Sequence, residues 1–473
     1  METQIPFTVL FTFFLFLFMA FSIVKRSTRN LPPGPRKLPL IGNMHQLIGA
    51  LPHESLRNLA KKYGPLMHLK LGELSTIIVS SPEIAKEVMK MHDVIFASKP
   101  NLLVARFVSY DSTNIVFSPY GSYWRQLRKI CTVELLTQKR VQSFQFIREE
   151  EVLSLIDTIA SHEGSVINLS DLVSSLTNDI VSRAAFGKKS RDGDAFVSTL
   201  EAALQLAAGF CIADLYPSIK VLPLITGVKH KLEKIHKKEK LAVLLKFQAN
   251  NDLELPLSDN NVKAVILDIF GAGTETSATT VVWAMSEILN KPKVMEEAQA
   301  EARRVFDKKG YVDEADFDQL KYLKAIVKET LRLRPTLPLI LPRESGERCE
   351  INGYEIPAKT RVIVNAWAIG RDPNYWTEAE KFKPERFLDN PIDYRGTDFE
   401  FIPFGAGRRI CPGMTFGMAN VELPLAKLLY HFDWKLPNGM KPEDLDMNES
   451  EVSGITLKRN GDLCLIPSCY KPL

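Results

Sequence analysis

The segment 404–413, FGAGRRICPG, constrains the fold of this chain more than any other stretch of it. Cys411 lies in a loop between Gly407 and Gly413, just before a segment with a helical pattern. Glycine permits positive φ angles and close backbone approach. A thiolate at a helix start is stabilised by the free amides and the helix dipole. The residues leave two interpretations open: a reactive thiolate ligand, or a small buried hydrophobic residue, as free cysteines usually are.

A second unusual segment lies inside a long helix predicted over 259–290. Gly271 and Gly273 each cost about 1 kcal/mol relative to alanine in a helix interior, which indicates a packing or functional reason for them. Small residues there would let a flat ligand approach the backbone. Thr276 is expected to hydrogen-bond a carbonyl one turn earlier and to loosen the helix. A crowded helix crossing is the alternative interpretation.

Two pairs of side chains stand at helical spacing. Glu329 and Arg332 are three apart on a helix predicted over 318–333, and as an exposed pair they would contribute less than about 1 kcal/mol. Trp124 and Arg128 are four apart on a helix predicted over 120–136 and face the same way. Taken alone, both pairs are typical of ordinary packing.

The segment 404–413 matches F-x-x-G-x-R-x-C-x-G at every fixed position. In this it resembles the haem-binding signature of the cytochrome P-450 family, the haem-thiolate monooxygenases. The resemblance runs from the N-terminus to the C-terminus and is closest to plant enzymes of the clan 71 type. It implies a mainly α fold with a small β region, and haem b as a cofactor whose iron is ligated by Cys411. Such a ligand favours cleavage of the O–O bond.

The same resemblance implies roles around the haem. Phe404 would pack near the ligand loop, and Arg409 would pair with a haem propionate. Trp124 and Arg128 match the family's W-x-x-x-R pair, which holds propionates. Arg343 is a further candidate, because a guanidinium suits a carboxylate.

The resemblance also assigns roles to two further motifs. Glu275 and Thr276 resemble the family's acid–threonine pair, which implies that they deliver protons to oxygen bound at the iron. Glu329 and Arg332 resemble its E-x-x-R pair, which is joined by the arginine of P-E-R-F, here Arg386. The implied role of this trio is structural.

The N-terminus predicts a membrane anchor. Residues 5–24 form a run of 20 without a charge, which at 1.5 Å per residue reaches about 30 Å, the thickness of a bilayer core. Lys25, Arg26 and Arg29 follow it, so the positive-inside rule predicts a single-pass protein with a cytosolic body. The resemblance implies the endoplasmic reticulum. A cleaved secretory signal is the alternative, but the basic start and the A-x-A-like cleavage site are missing.

The predicted organisation is an anchor over 1–30, a proline-rich hinge over 31–39 and a catalytic domain over 40–473. Proline blocks helix continuation, so the hinge is expected to be stiff and non-helical. The net charge of +4 is close to neutral for 473 residues and argues against a nucleic-acid partner. The six cysteines show no zinc-type spacing.

The resemblance implies a monooxygenase that uses O2 and takes electrons from NADPH through NADPH–cytochrome P-450 reductase. It also places the substrate pocket at 101–117, 264–276, 337–340 and 453–455. These segments are largely aliphatic, which favours an apolar plant metabolite such as a terpenoid or an alkaloid.

One segment departs from the family pattern. Around 230–257 the chain is expected to be shorter than its relatives by several helical turns. Two hypotheses follow: an active monooxygenase, or an inactive splice or gene-model variant with a disrupted substrate channel. The Glu275–Thr276 pair favours the first, and the shortened segment favours the second.

Overall fold

The computed structural model describes residue 12 and residues 30–189, 211–235, 258–450 and 455–471. Nearly all of the predicted anchor and most of the segment with the predicted shortening therefore lie outside the described residues. Within the described part of the chain, no helix is long and apolar enough to cross a membrane.

Helices make up most of the regular secondary structure in the described residues, in agreement with the predicted class. They are α1 (Pro52–Tyr63), α2 (Pro82–Lys86), α3 (Leu103–Val108), α4 (Ser122–Ile130), α5 (Gln138–Ser143), α6 (Gln145–Ser161), α7 (Leu169–Phe186), α8 (Ile212–Leu215), α9 (Leu222–Ile225), α10 (Asp259–Leu289), α11 (Pro292–Phe306), α12 (Lys321–Leu333), α13 (Ala366–Ile369) and α14 (Met414–His431).

The strands are short. They are β1 (Leu66–Leu71), β2 (Leu74–Val79), β3 (Ile167–Asn168), β4 (Arg343–Glu344), β5 (Cys349–Ile351), β6 (Tyr354–Ile356), β7 (Arg361–Val364), β8 (Phe432–Lys435) and β9 (Cys464–Cys469). They form sheets in the orders β1-β2-β7-β4, β3-β9-β8 and β5-β6. The sequence of 68–80 predicts a short hairpin with Gly72 in the turn. The structure confirms it as β1 and β2, and Gly72 has a φ of +59°.

The long helix α10 runs through the core and packs against α7, α12 and α14. It begins at Asp259, as predicted, because the Ser258 side chain accepts a hydrogen bond from the backbone N–H of Asn261. α12 begins at Lys321 rather than at 318, because a separate 3-10 helix occupies Glu314–Gln319. α4 ends at Ile130 and continues as one π-helical turn over Cys131–Leu135.

The proline-rich segment is non-helical, as predicted, and it packs against β1. The backbone N–H of His68 donates to the carbonyl of Pro33 at 2.8 Å. A Cβ on Gly34 would lie 2.1 Å from the carbonyl oxygen of His68. The segment therefore contacts the body of the protein at Pro33 and Gly34.

The trio of Glu329, Arg332 and Arg386 forms the contacts that the resemblance implies. Arg332 binds both carboxylate oxygens of Glu329, at 2.7 and 2.8 Å, and Arg386 Nε lies 3.0 Å from Glu329 Oε1. The side chains of Glu329 and Arg332 are fully buried. Arg332 also donates to the carbonyls of Gly370 and Ala379, so the trio joins α12 to the segment that follows α13.

Arg334, which precedes Pro335, belongs to a second buried network. Its Nε lies 3.0 Å from Glu287 of α10, and its Nη1 lies 2.9 Å from Glu449. The guanidinium also stacks over the ring of Trp283 at 4.3 Å. Arg334 thus ties the end of α12 to α10 and to the C-terminal part of the chain.

Replacing Glu329 with glutamine should destabilise the protein strongly. The substitution leaves two arginines beside a neutral partner, and removal of one member of a buried pair costs about 3–5 kcal/mol. Thermal unfolding followed by circular dichroism should show a lower midpoint for Glu329→Gln. The matched control is Glu350→Gln at an exposed position, which should change stability by no more than about 0.5 kcal/mol. Equal midpoints for the two variants would contradict this role.

Candidate active site

A cavity of about 260 Å³ lies between α10 and the loop that carries Cys411. Much of its wall is aliphatic and comes from three of the four segments predicted to surround the pocket: Ile115, Val116, Ile269, Ala272, Leu337 and Ile340. Of the fourth segment, residues 453 and 454 lie outside the described residues. An apolar wall of this kind suits an apolar ligand.

Cys411 faces this cavity from the residues just before α14. Its backbone N–H donates to the carbonyl of Phe404 at 3.0 Å. Burial raises the pKa of the thiol, while the Gly413 amide and the Arg128 guanidinium act in the opposite direction. All six cysteines of the chain are free. Cys411 and Cys131 both line the cavity, and a buried thiol of this kind needs a positive partner to be held as a thiolate.

The loop before Cys411 has little conformational freedom. Gly407 has a φ of +69°, and a Cβ on it would lie 2.0 Å from the carbonyl oxygen of Met89. The next residue, Arg408, donates its backbone N–H to the Asp93 carboxylate at 3.0 Å. The ring of Phe404 lines the cavity and meets Tyr394 edge-on, with 5.4 Å between the centroids. These contacts fix the direction in which the sulfur points.

Among the described residues, the cationic side chains that line the same cavity are four: Lys99, Arg128, Arg343 and Arg409. Arg343 is 2% exposed, and its Nε and Nη1 have no hydrogen-bond partner among the described residues. Its only carboxylate within ion-pair distance there is Asp93, at 3.7 Å. Burial lowers the pKa of Arg343 to about 10 and, with Arg343 and Arg128 nearby, that of Arg409 to about 9. This excess of buried positive charge fits an anionic ligand.

Arg409, which lines the cavity, and Trp124 support each other. The Arg409 guanidinium stacks on the Trp124 ring at 4.1 Å and donates to the carbonyls of Ala97 and Ile115, at 2.6 and 3.2 Å. Trp124 Nε1 donates to the same Ile115 carbonyl at 2.9 Å. Of the predicted Trp–Arg pair, Arg128 therefore faces the cavity, while Trp124 acts through Arg409.

Lys99 is a functional candidate that the sequence reasoning missed. Its Nζ donates to the carbonyl of Leu341 at 2.9 Å, and burial, followed by repulsion from Arg343 and Arg409, lowers its pKa well below the ordinary value. In the sequence Lys99 precedes a proline, and its spacing to other residues forms no motif that would indicate a function. Only the fold brings it to the other cations.

The structure does not bring Glu275 and Thr276 to the same place. Thr276 lines the cavity and its hydroxyl donates to the Ala272 carbonyl at 2.5 Å, which confirms the predicted hydrogen bond. Glu275 faces a second, more polar cavity of about 190 Å³ on another side of α10. There its Oε1 accepts from the Thr456 hydroxyl at 2.8 Å and lies 3.0 Å from Lys458 Nζ. Its Oε2 is buried with no hydrogen-bond partner among the described residues.

The residues around the larger cavity fit a haem. A sulfur donor at one wall suits iron. The uncompensated cations suit the two carboxylates of a porphyrin, and Arg343 offers two nitrogens that lack a hydrogen-bond partner among the described residues. The remaining wall is apolar enough for a flat macrocycle and a substrate above it.

Comparisons with known proteins agree with this fit. The cytochrome P-450 family model matches residues 32–465. The chain is 57% identical over 511 aligned positions to cytochrome P-450 71D10 of Glycine max, with 100% of this chain and 99% of that protein covered. It is 53% identical to tabersonine 16-hydroxylase 2 of Catharanthus roseus, with 97% of each covered. A zebra fish cytochrome P-450 determined with abiraterone shares the fold, with a TM-score of 0.73 and 24% identity over 89% of this chain and 100% of that one.

The chain therefore belongs to the cytochrome P-450 family. Its cofactor is a haem whose iron is ligated by a cysteine, and its reaction class is that of a monooxygenase, which places one oxygen atom in its substrate.

Replacing Gly407 with alanine should prevent stable haem binding. A positive φ costs a non-glycine residue about 1–3 kcal/mol, and the new Cβ would also collide with the Met89 carbonyl. Gly407→Ala should be purified with less than about a tenth of the wild-type haem per protein, measured by pyridine haemochromogen absorbance. In the control Gly346→Ala the nearest atom lies at 3.5 Å, so haem content should be unchanged. Full haem content in Gly407→Ala would show that the loop adapts.

Proposed function

We propose that this protein oxidises an apolar plant specialised metabolite, of the terpenoid or alkaloid type, with O2 and electrons from NADPH. The observation that carries the proposal is that Cys411 and Thr276 line one cavity whose remaining wall is mainly aliphatic. The name of the Catharanthus roseus relative, tabersonine 16-hydroxylase 2, supports hydroxylation of a plant metabolite as the reaction.

In this proposal Cys411 is the ligand of the haem iron. The haem supplies the activation of O2 when it is bound. Arg343, Arg128 and Lys99 hold the two propionates, and Arg409, braced by Trp124, adds positive charge at the same end. Arg128 also acts on the sulfur, because a cation beside Cys411 favours the thiolate over the thiol.

Thr276 and Glu275 take part in proton transfer from two sides of α10. The Thr276 hydroxyl donates to Ala272, so its lone pairs are available to accept a hydrogen bond from water or substrate in the cavity. Glu275 takes up a proton at Oε2, which is buried beside the polar cavity and has no hydrogen-bond partner among the described residues. A rotation of the Glu275 side chain then passes the proton toward Thr276 Oγ1.

The cellular setting is part of the proposal. The uncharged run at 5–24 anchors the protein in the endoplasmic reticulum membrane, with the catalytic domain in the cytosol. NADPH–cytochrome P-450 reductase supplies the electrons. Arg125 and Lys129 are exposed on α4, the helix that places Arg128 at the cavity, and they offer positive charge to an acidic partner.

Isotope labelling tests the reaction and the role of Thr276 together. In microsomes that contain the protein and a plant reductase, a library of terpenoids and alkaloids should yield an NADPH-dependent product with one ¹⁸O atom from ¹⁸O2. Thr276→Val should lower product formed per NADPH by about tenfold or more and raise hydrogen peroxide, because proton transfer is lost.

The matched control is Thr158→Val. Thr158 makes the same hydrogen bond to the carbonyl four residues earlier, at 2.8 Å, but lies exposed on α6. It should leave the ratio of product to NADPH unchanged. Label taken from water, or no product across the library from haem-loaded protein, would refute the proposed function. A normal ratio in Thr276→Val would refute the role of Thr276.

A further inference from the structure

Three helices meet at Gly273 of α10. A Cβ added to Gly273 would lie 3.2 Å from Cγ2 of Val181 on α7 and 3.9 Å from Cε1 of Phe416 on α14. The first of these distances is tighter than most Cβ contacts, so glycine at this position allows the three helices to approach one another. This junction is a packing reason for the glycine, of the kind that the sequence indicated.

Three buried polar side chains lie about one helical turn from this junction. They are Asn178 on α7, Ser277 on α10 and Asn420 on α14, which are 6%, 2% and 0% exposed. Four of their atoms have no hydrogen-bond partner among the described residues: Asn178 Oδ1, Ser277 Oγ, and Asn420 Nδ2 and Oδ1. A buried polar atom without a partner is costly, so the set indicates that a ligand binds there.

α7 and α10 run antiparallel. Phe186, the last residue of α7, stacks on Phe270 of α10 with 5.1 Å between the ring centroids. Ser174, nearer the start of α7, lines the polar cavity together with Val282, which lies further along α10. A step back along α7 from the junction is therefore a step forward along α10.

The three polar side chains consequently lie on the same side of the junction. Asn178 lies three residues before the junction contact on α7, Ser277 four residues after it on α10, and Asn420 four residues after it on α14. Residues three or four apart share one face of a helix. A Cβ on Gly417 would lie 4.0 Å from Ser277 Oγ, so α14 advances along α10 in the same direction. The three helices thus direct these polar groups to one place.

The chemistry of the three side chains fits water. Their four unpaired atoms do not bond to one another. The amide nitrogen of Asn420 can donate, the two amide oxygens can accept, and the Ser277 hydroxyl can do either. All three side chains are neutral, so they offer no counter-charge to an ion. A buried water typically makes about three hydrogen bonds to groups that would otherwise be unpaired, and this set supplies them.

We infer that Asn178, Ser277 and Asn420 form a buried water-binding site that joins α7, α10 and α14. α14 begins three residues after Cys411, and Ser277 directly follows Thr276. The bound water therefore links the helix behind the sulfur to the helix that carries Thr276. Asn420 is a positioning residue that acts through this water. The water site is a property of the folded chain, and only its effect on turnover rests on the proposed function.

The water itself is the first readout. A crystal structure of the haem-loaded protein should show an ordered water within about 3.2 Å of a side-chain atom of Asn420 and of Ser277 Oγ or Asn178 Oδ1. Asn420→Ala should lose that water or move it out of reach of the other two side chains. A direct hydrogen bond from Asn420 to another protein group or to the haem, with no water at the site, would overturn the inference.

Two substitutions of nearly equal size separate a water site from ordinary packing. Asn420→Ala and Asn420→Ser leave almost the same space, but serine keeps a hydroxyl that can hold the water. In hydrogen exchange resolved by mass spectrometry, Asn420→Ala should lower the protection of the peptide covering 414–431 by about tenfold, and Asn420→Ser by no more than about twofold. Packing alone predicts equal losses, because both variants leave a similar cavity.

A double variant tests whether Asn420 and Ser277 bind the same water. Ser277→Ala combined with Asn420→Ala should lower the protection by less than the product of the two single effects, since each substitution removes a partner of one shared ligand. Independent effects would contradict a shared site. Should Asn420→Ala fail to fold, Asn178→Ala and Asn178→Ser take the place of the Asn420 variants in both comparisons.

Turnover is the third readout. Asn420→Ala should keep the haem content and the thiolate-type carbon monoxide band of the wild type. It should form about tenfold less product per NADPH, because a small shift between Cys411 and Thr276 impairs a reaction that requires close alignment. Asn420→Ser should retain most of the wild-type ratio. An unchanged ratio in Asn420→Ala would refute the positioning role.

Equal loss of protection in Asn420→Ala and Asn420→Ser would overturn the water site, whatever the substrate of the enzyme is. A failure of the proposed function gives a different result. In that case no metabolite is oxidised, while the bound water and the difference in protection between the two variants persist.

Discussion

An excess of positive charge at one cavity, where Asp93 is the one carboxylate within ion-pair distance of Arg343 among the described residues, is the interaction on which the active site depends. Arg343 lies almost fully inside the protein with two nitrogens that have no hydrogen-bond partner among the described residues, and Lys99, Arg128 and Arg409 line the same cavity. Buried charges are costly, so an anionic ligand in the cavity would offset the cost of this arrangement. The sulfur of Cys411 lies at the same cavity and benefits from the same positive field. The protein is thus built around a dianionic metal cofactor.

Side chains of α10 that point in different directions have three different roles. Thr276 and Ala272 face the large cavity, Glu275 faces the polar one, and Asp268 accepts hydrogen bonds from the backbone N–H groups of Ile115 and Val116. Successive residues of an α-helix point about 100° apart. Adjacent residues such as Glu275 and Thr276 therefore belong to different surfaces, and a proton that passes between them must travel around the helix.

Local patterns predicted the parts of the structure that depend on neighbouring residues. The limits of α10, the β1–β2 hairpin and the Thr276 hydrogen bond follow from capping, glycine placement and helical periodicity. The roles of Cys411 and of the Glu329 trio came from a resemblance, since the residues alone allowed ordinary packing. The contacts of Lys99 with Leu341 and of Asp268 with Ile115 were not predictable in this way, because each joins segments more than 100 residues apart. The direction of Glu275 was predictable from the angle between adjacent helical residues, but the acid–threonine motif alone does not give it.

The central claim is that the sulfur of Cys411 binds the haem iron as a thiolate. The most direct measurement is the carbon monoxide difference spectrum of the reduced, haem-loaded protein, compared between the wild type and Cys411→Ser. The wild type should show the Soret band of a thiolate-ligated haem, and the variant should lose it while its haem is still present. A thiolate-type band that persists in Cys411→Ser would contradict the assignment and place the ligand elsewhere in the chain.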